Sequence, residues 1–254
     1  AHPDSVKAAQ LLALATDSPP IADLTADDGI RHTLWAIDDL ASIARIGAVF
    51  GAMPNLYIAD GHHRSAAAAR VAAIRRHQNH ASDSAEFFLS VIFPASQMLI
   101  MDYNRVVRDL NGLTEEAFLV AVSKCYAVSA SRTPVKPERR GVCGMYLGGR
   151  WYRLEIRSGL IPVSDPVRQL DVSVLAEQIL DPLLGITDLR RDTRIDFVGG
   201  MRGLSELERR ENSGEMAVAF AMYPTQMADL MTVADAGQVM PPKSTWFEPK
   251  LADG

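Results

Sequence analysis

The stretch VCGMYLGGRWYRLEI, Val142 to Ile156, constrains the fold more than any other segment. Two apolar-rich runs flank the pair Gly148–Gly149, and a two-residue glycine turn joins antiparallel strands. Parallel neighbours need long crossovers, so this hairpin argues against a purely parallel sheet. Around it, helix-forming and strand-forming stretches alternate without a strict repeat. The class expected is α+β (mixed α/β): a mixed sheet with flanking helices.

The rest of the chain fills in that outline. SVKAAQLLALA reads as a helix capped by Asp4 or Ser5, with Val6, Ala9, Leu12 and Ala13 on one apolar face. Further helices are expected at DLASIARIGAVF, HHRSAAAARVAAIRRH, LTEEAFLVAVSKCY with Thr114 as cap, GLSELERRENSG and TQMADLMTVADAG. DVSVLAEQILDPLLG should break near Pro182. Strands are expected at RHTLWAID, LYIAD, AEFFLSVIF, MLIMDYNRVV, TRIDFVGG and EMAVAFAMYP, and SASRTPVKPERRG reads as a loop. In RHTLWAID the alternation sets His32, Leu34 and Ala36 against Thr33, Trp35 and Ile37. Two regions are expected, an α/β region over 1–110 and an α+β region over 111–254, packed separately or as one unit.

Bulk properties narrow the function classes. The 254 residues suffice for a substantial core, and the net charge of -5 argues against a general nucleic-acid binder. No run of eighteen apolar residues suggests a membrane span. Cys125 and Cys143 have no metal-ligand spacing, which fits a reduced, cytoplasmic protein with free thiols. The start AHPDSVKAAQ has neither a methionine nor the regions of a signal peptide, so the chain is expected to be part of something longer.

The most informative stretch is YIADGHHRSAAAARVAAIRR, from Tyr57 to Arg76. An acid, a glycine, two histidines and an arginine stand where a short apolar run meets an alanine-rich helix. A helix start offers unpaired N–H groups and the positive end of the macrodipole. Gly61 permits a tight turn, Arg64 can fork onto phosphate oxygens, and His62 and His63 add donors. Together they form an anion receptor. Asp60 would repel an anion unless it ligates a phosphate-held Mg²⁺ or acts as base for a hydroxyl. The plainer alternative makes Asp60 the helix cap and Arg64 the partner of a distant acid. Adjacent helical histidines diverge by about 100°, so at most one should reach a phosphate. His77 and His80 have i, i+3 spacing but read as solvated.

The closing stretch MPPKSTWFEPK offers a second candidate. Pro241 and Pro242 should hold the backbone extended before Lys243, Ser244 and Thr245, a charge and two hydroxyls suited to phosphate. It is not a P-loop, since Pro242 stands where that motif needs glycine. Alternatively the segment is a strap with Trp246 and Phe247 packed on the core. His32, Asn104 and Arg105 are further candidates for substrate contact, with core or turn roles as the alternative.

The segments YIADGHHRSAAA, DYNRVVRDLNGLTEEAFL, LDVSVLAEQIL and MPPKSTWFEPKL, in this order and preceded by RHTLWAID, resemble a bacterial domain-of-unknown-function family, the one numbered 1015. The resemblance covers nearly the whole chain. Members of that family are typically longer at the N-terminus, so the chain looks like a C-terminal portion. The DGHHR segment is in turn similar to the phosphate-binding turn of the ParB and sulfiredoxin-like fold, whose free-serine kinases carry a comparable acid-Gly-His-His-Arg run. That resemblance implies a nucleotide-phosphate-binding protein, a kinase with a small hydroxyl compound such as L-serine as acceptor. Mg²⁺ with ATP or ADP would be the cofactor. Asp60 and His62 would act catalytically, Asp60 through Mg²⁺ or the attacking hydroxyl. Gly61, His62, His63 and Arg64 would hold phosphates. The rival readings are a non-catalytic nucleotide sensor that switches assembly into a homo-oligomer, and a phosphate-ester hydrolase.

Overall fold

The computed structural model describes residues 1–78 and 83–247. The chain divides into two compact units, Ala1–Met98 and Leu99–Gly254. The sequence alone suggests a division after residue 110. Residues 99–110 belong instead with the second unit, because the strand Tyr103–Val107 is hydrogen-bonded on both sides within that unit's sheet.

In the first unit, α1 (Val6–Ala15) starts at Ser5, whose Oγ accepts from the Ala8 N–H at 3.3 Å. Asp4 is drawn away from capping by Ser96, accepting from its backbone N–H at 3.2 Å and its hydroxyl at 2.7 Å. A hairpin of β1 (Ala22–Thr25) and β2 (Arg31–Leu34) follows. Past its end the expected alternation persists, with Thr33, Trp35 and Ile37 half-buried and His32, Leu34 and Ala36 exposed. α2 (Leu40–Gly51) is capped by Asp39, which accepts from the Ser42 N–H at 2.8 Å. α3 (His62–His77) is the alanine-rich helix.

Two expected strands, LYIAD and AEFFLSVIF, do not form. The first two residues lie between these segments. Ala1 and Tyr57 exchange backbone hydrogen bonds at 2.5 and 2.8 Å. The His2 N–H donates to the Phe93 carbonyl at 2.9 Å, and the Ala95 N–H to the His2 carbonyl at 2.8 Å. A strand needs a continued ladder, and among the described residues neither segment continues one beyond these bonds. Its apolar side chains stay outside: Leu56, Ile58, Phe87, Phe88, Leu89 and Val91 are all exposed. The expected inner face of α1 is also outward, and Ala8 is the residue it buries.

The second unit is built on a six-stranded antiparallel sheet, in spatial order Tyr126–Ser131, Arg150–Ile156, Val142–Leu147, Val218–Ala221, Tyr103–Val107 and Ile195–Gly199. Short β3 (Ile100–Met101) leads into β4 (Tyr103–Val107), and α4 (Glu115–Ser123) begins at its cap Thr114. Next come β5 (Tyr126–Ser131), β6 (Val142–Leu147) and β7 (Arg150–Ile156). The β6–β7 turn is the expected pair, Gly148 at φ 57 and Gly149 at φ 69, the left-handed geometry that tight hairpins require. α5 (Asp171–Leu175) continues as a single π turn, Ala176–Leu180, before Pro182. β8 (Ile195–Gly199), α6 (Gly203–Asn212), β9 (Val218–Ala221), α7 (Met227–Asp235) and β10 (Trp246–Phe247) complete the unit.

One face of the sheet buries Val107, Met145, Leu154 and Phe220 against Phe118 of α4, Leu175 of α5 and Val233 of α7. The other buries Val106, Trp151, Val198 and Ala219 against Leu207 of α6. This alternation along β4 and β9 is the two-residue period of a strand covered on both sides. The α+β class is the one observed. Among the described residues, no helix is long and apolar enough to cross a membrane.

Candidate functional site

The acid-Gly-His-His-Arg run forms the entry to α3. Gly61 is the N-cap residue, at φ 80 and ψ 22, a left-handed conformation that strains a residue with a side chain. Asp60 is therefore not the cap. Its Oδ1 accepts from the Gly61 N–H at 2.8 Å, and no side chain caps the helix. The first hydrogen bond back into the turn is from the Ser65 N–H to the Gly61 carbonyl at 2.9 Å. Helix geometry leaves the N–H groups of His62, His63 and Arg64 without intrahelical acceptors.

Arg64 folds back over this opening. Its Nε and Nη2 each stand 3.7 Å from the position a Cβ would take on Gly61. Asp60, His62, His63 and Arg64 are exposed, and Gly61 is half-buried. The arrangement gathers a guanidinium, the helix-start amides and one acid at a single exposed turn. Both histidines lie within the helix, so their side chains leave its axis in different directions. His32, exposed on β2 with its Cα opposite Leu24, has no hydrogen bond, ion pair or ring contact to the turn among the described residues. His77 ends α3 exposed, and His80 lies outside the described residues, as do Glu248, Pro249 and Lys250.

The second set of candidates converges in the other unit, on β4 and the closing segment. Asn104 and Arg105 are each 0% exposed, so neither meets a ligand directly. The Asn104 amide donates to Asp102 Oδ2 at 2.7 Å and accepts from the Met222 N–H at 2.9 Å. The Arg105 guanidinium donates through Nη1 to the Tyr103 carbonyl and through Nη2 to the Lys243 carbonyl, the latter at 2.8 Å. Among the described residues its Nε has no partner, and burial pushes its pKa down to about 10.

Lys243 itself, after the two prolines, adopts φ 58 in a turn. That turn is closed by the Ser244 hydroxyl, which donates to the Pro241 carbonyl at 2.7 Å. Ser244 is 3% exposed, and its carbonyl accepts from the Thr225 hydroxyl at 2.8 Å. Its side chain is thus turned inward, away from any phosphate, while Thr245 is half-buried and Lys243 exposed. The strap reading also holds: the Trp246 ring meets Tyr103 edge-on at 5.0 Å between centroids and lies against Gly199.

Sequence reasoning missed Tyr103 and Phe197. The Lys243 Nζ lies 5.9 Å from the Tyr103 ring centroid and 5.7 Å from that of Phe197. The signal available was the aromatic beside Asn104 and Arg105 in DYNRVV; Phe197 had none. Asp102 was missed as well. Its carboxylate rests against Gly200, where an added Cβ would come within 2.2 Å of Oδ1.

No curated protein matches the chain in sequence. Among solved structures, a free serine kinase variant in complex with ADP is 16% identical, over 97% of this chain and 82% of that one, with a TM-score of 0.37. A further variant of that kinase, in complex with AMP, is 14% identical with the same TM-score. A conserved hypothetical protein from Pyrococcus furiosus is 15% identical, over 97% and 85% of the two chains, with a TM-score of 0.38. The family described as "Protein of unknown function (DUF1015)" matches residues 1–173, most of the chain, and to that family this protein belongs.

Proposed function

We propose that this protein binds a nucleotide through its phosphates at the Asp60–Arg64 turn and transfers a phosphoryl group to a small hydroxyl compound, with L-serine the first acceptor to try. The observation that carries the reading is the Arg64 guanidinium folded over Gly61, beside the open start of α3. A guanidinium and helix-start amides are complementary to phosphate oxygens in charge and in hydrogen-bond direction. Phosphoryl transfer asks mainly for positioning and charge neutralisation, and this turn offers both. Its likeness to the ParB and sulfiredoxin-like phosphate turn supports the same reading, as does the comparable run in free-serine kinases.

The residues present fit Mg²⁺ in a limited way. Asp60 gives Oδ1 to the Gly61 N–H, and Oδ2 has no partner among the described residues. Among those residues no group of three or more His, Cys, Asp or Glu side chains is arranged to hold a metal. Asp60 would be the residue to hold Mg²⁺ beside the phosphates, and the ion would supply charge neutralisation there. In this reading Asp60 or His62, the sequence neighbours of Gly61, receives the proton of the attacking hydroxyl. A cytoplasmic setting, where ATP and ADP are abundant, belongs to this reading.

The test is calorimetric titration of ADP and ATP with Mg²⁺ into the whole chain and into Arg64→Ala. Loss of one bidentate phosphate contact should weaken binding by roughly tenfold or more. Incubation with serine should then give O-phosphoserine, and Asp60→Ala should abolish it. Unchanged nucleotide binding in Arg64→Ala would sink the proposal.

A further inference from the structure

Among the described residues, two cations of the second unit have no anion to answer them. Arg105 is completely buried, yet no carboxylate reaches it; its partners are two backbone carbonyls, and Nε has none. A buried charge without a counter-charge is costly, and proteins seldom keep one idle. Lys243 makes no ion pair among the described residues. Its Nζ stands over Tyr103 and Phe197, and the Arg105 guanidinium lies 5.6 Å from the centroid of the same Phe197 ring. Two like charges sharing one ring repel each other. The nearest acid in sequence, Asp102, faces the Asn104 amide and Gly200.

The sequence separation sharpens the point. Arg105 grips the carbonyl of a residue 138 positions away, and that residue holds a left-handed conformation without being glycine. The grip fixes the one exposed cation of the pair over two rings. Because Arg105 is sealed and Lys243 is exposed, only Lys243 can touch a ligand.

We propose that Lys243 is the contact group of an anion subsite in the second unit, for the phosphate of a small phosphorylated molecule, and that Arg105 is its positioning residue. The choice of phosphate rests on the function proposed above; the subsite itself rests on the Arg105–Lys243 pair and does not involve the Asp60–Arg64 turn. A phosphate against Lys243 would answer its charge, and the aromatic faces beneath would keep the ammonium from turning away.

The test titrates inorganic pyrophosphate and ADP into the whole chain, into Lys243→Met, Arg105→Lys, the Lys243→Met/Arg105→Lys double variant and Arg64→Ala. Thermal unfolding is recorded alongside. Lys243→Met should weaken binding about tenfold with an unchanged melting temperature. Arg105→Lys should weaken it by a similar factor, and the double variant should lose no more than Lys243→Met alone. A merely structural Arg105 would lower binding further in the double variant, which would overturn its positioning role. Wild-type affinity in Lys243→Met, or no binding of either probe to the unaltered chain, overturns the subsite. Weakening in Lys243→Met but not in Arg64→Ala supports the subsite and removes the turn-centred function. The reverse pattern does the opposite.

Discussion

The Asp171 carboxylate, at the start of α5, accepts a hydrogen bond from the Gly141 N–H at 2.6 Å, tying the helix to the entrance of β6. Burial raises its pKa to about 6, opposed by that hydrogen bond and by the charge of Arg140. A carboxyl whose folded pKa exceeds its unfolded value holds its proton better when folded. Its contribution is therefore largest below the unfolded pKa near 3.8 and is lost as pH rises through about 6. Asp171→Asn should remove this dependence while keeping an oxygen for Gly141. The variant should gain about 1–3 kcal/mol on the wild type between pH 5 and pH 8. Urea unfolding of both proteins across that range measures the difference; parallel curves would show that Asp171 does not titrate there.

Much of this fold was legible, and the reasons for the rest are physical. The cap at Thr114 could be read outright, Ser5 was one of two candidates beside Asp4, and Asp39 opens the expected segment DLASIARIGAVF, because capping is local: one side-chain oxygen meets an N–H three residues on. The β6–β7 hairpin read correctly for the same reason. Strands depend on partners the sequence does not name. AEFFLSVIF has the composition of a buried strand yet has no ladder, while the small, polar YAVSAS forms β5 because β7 offers it an edge. At the candidate sites, the contiguous Asp60–Arg64 run could be read whole. The Arg105–Lys243 link could not, since nothing local couples residues so far apart.

Gly144 shows how tightly the second unit is packed. A Cβ there would stand 2.4 Å from the Val135 carbonyl oxygen, 3.1 Å from the Trp151 ring and 3.2 Å from the Ala221 Cβ. Backbone and a buried indole leave no flexible end to move aside. Gly144→Ala adds one methyl group to a filled space between β6, β7 and β9, and should destabilise the unit by about 1–3 kcal/mol. Trp151, in the same contact, should report the change in near-UV circular dichroism as well as in denaturant midpoint. A variant as stable as the wild type would mean that the strands can part there at little cost.

The two units should also differ in how readily their backbones open. The large apolar clusters lie within residues 106–240, around sheet strands buried on both faces. In the first unit the segment 87–92 carries Phe87, Phe88 and Leu89 at 79%, 61% and 92% exposure, and the N–H groups of residues 88–92 have no backbone acceptor among the described residues. Opening free energy follows buried contacts and satisfied backbone bonds. Amides of β4, β6 and β9 should therefore resist hydrogen exchange until the second unit unfolds as a whole. Amides of 88–92 should exchange at the rate of an unstructured chain. Mass-spectrometric exchange on the intact protein separates these peptides directly. Strong protection over 88–92 in solution would mean that a strand partner completes a ladder there, and adding increasing protein concentration would show whether that partner is a second copy of the chain.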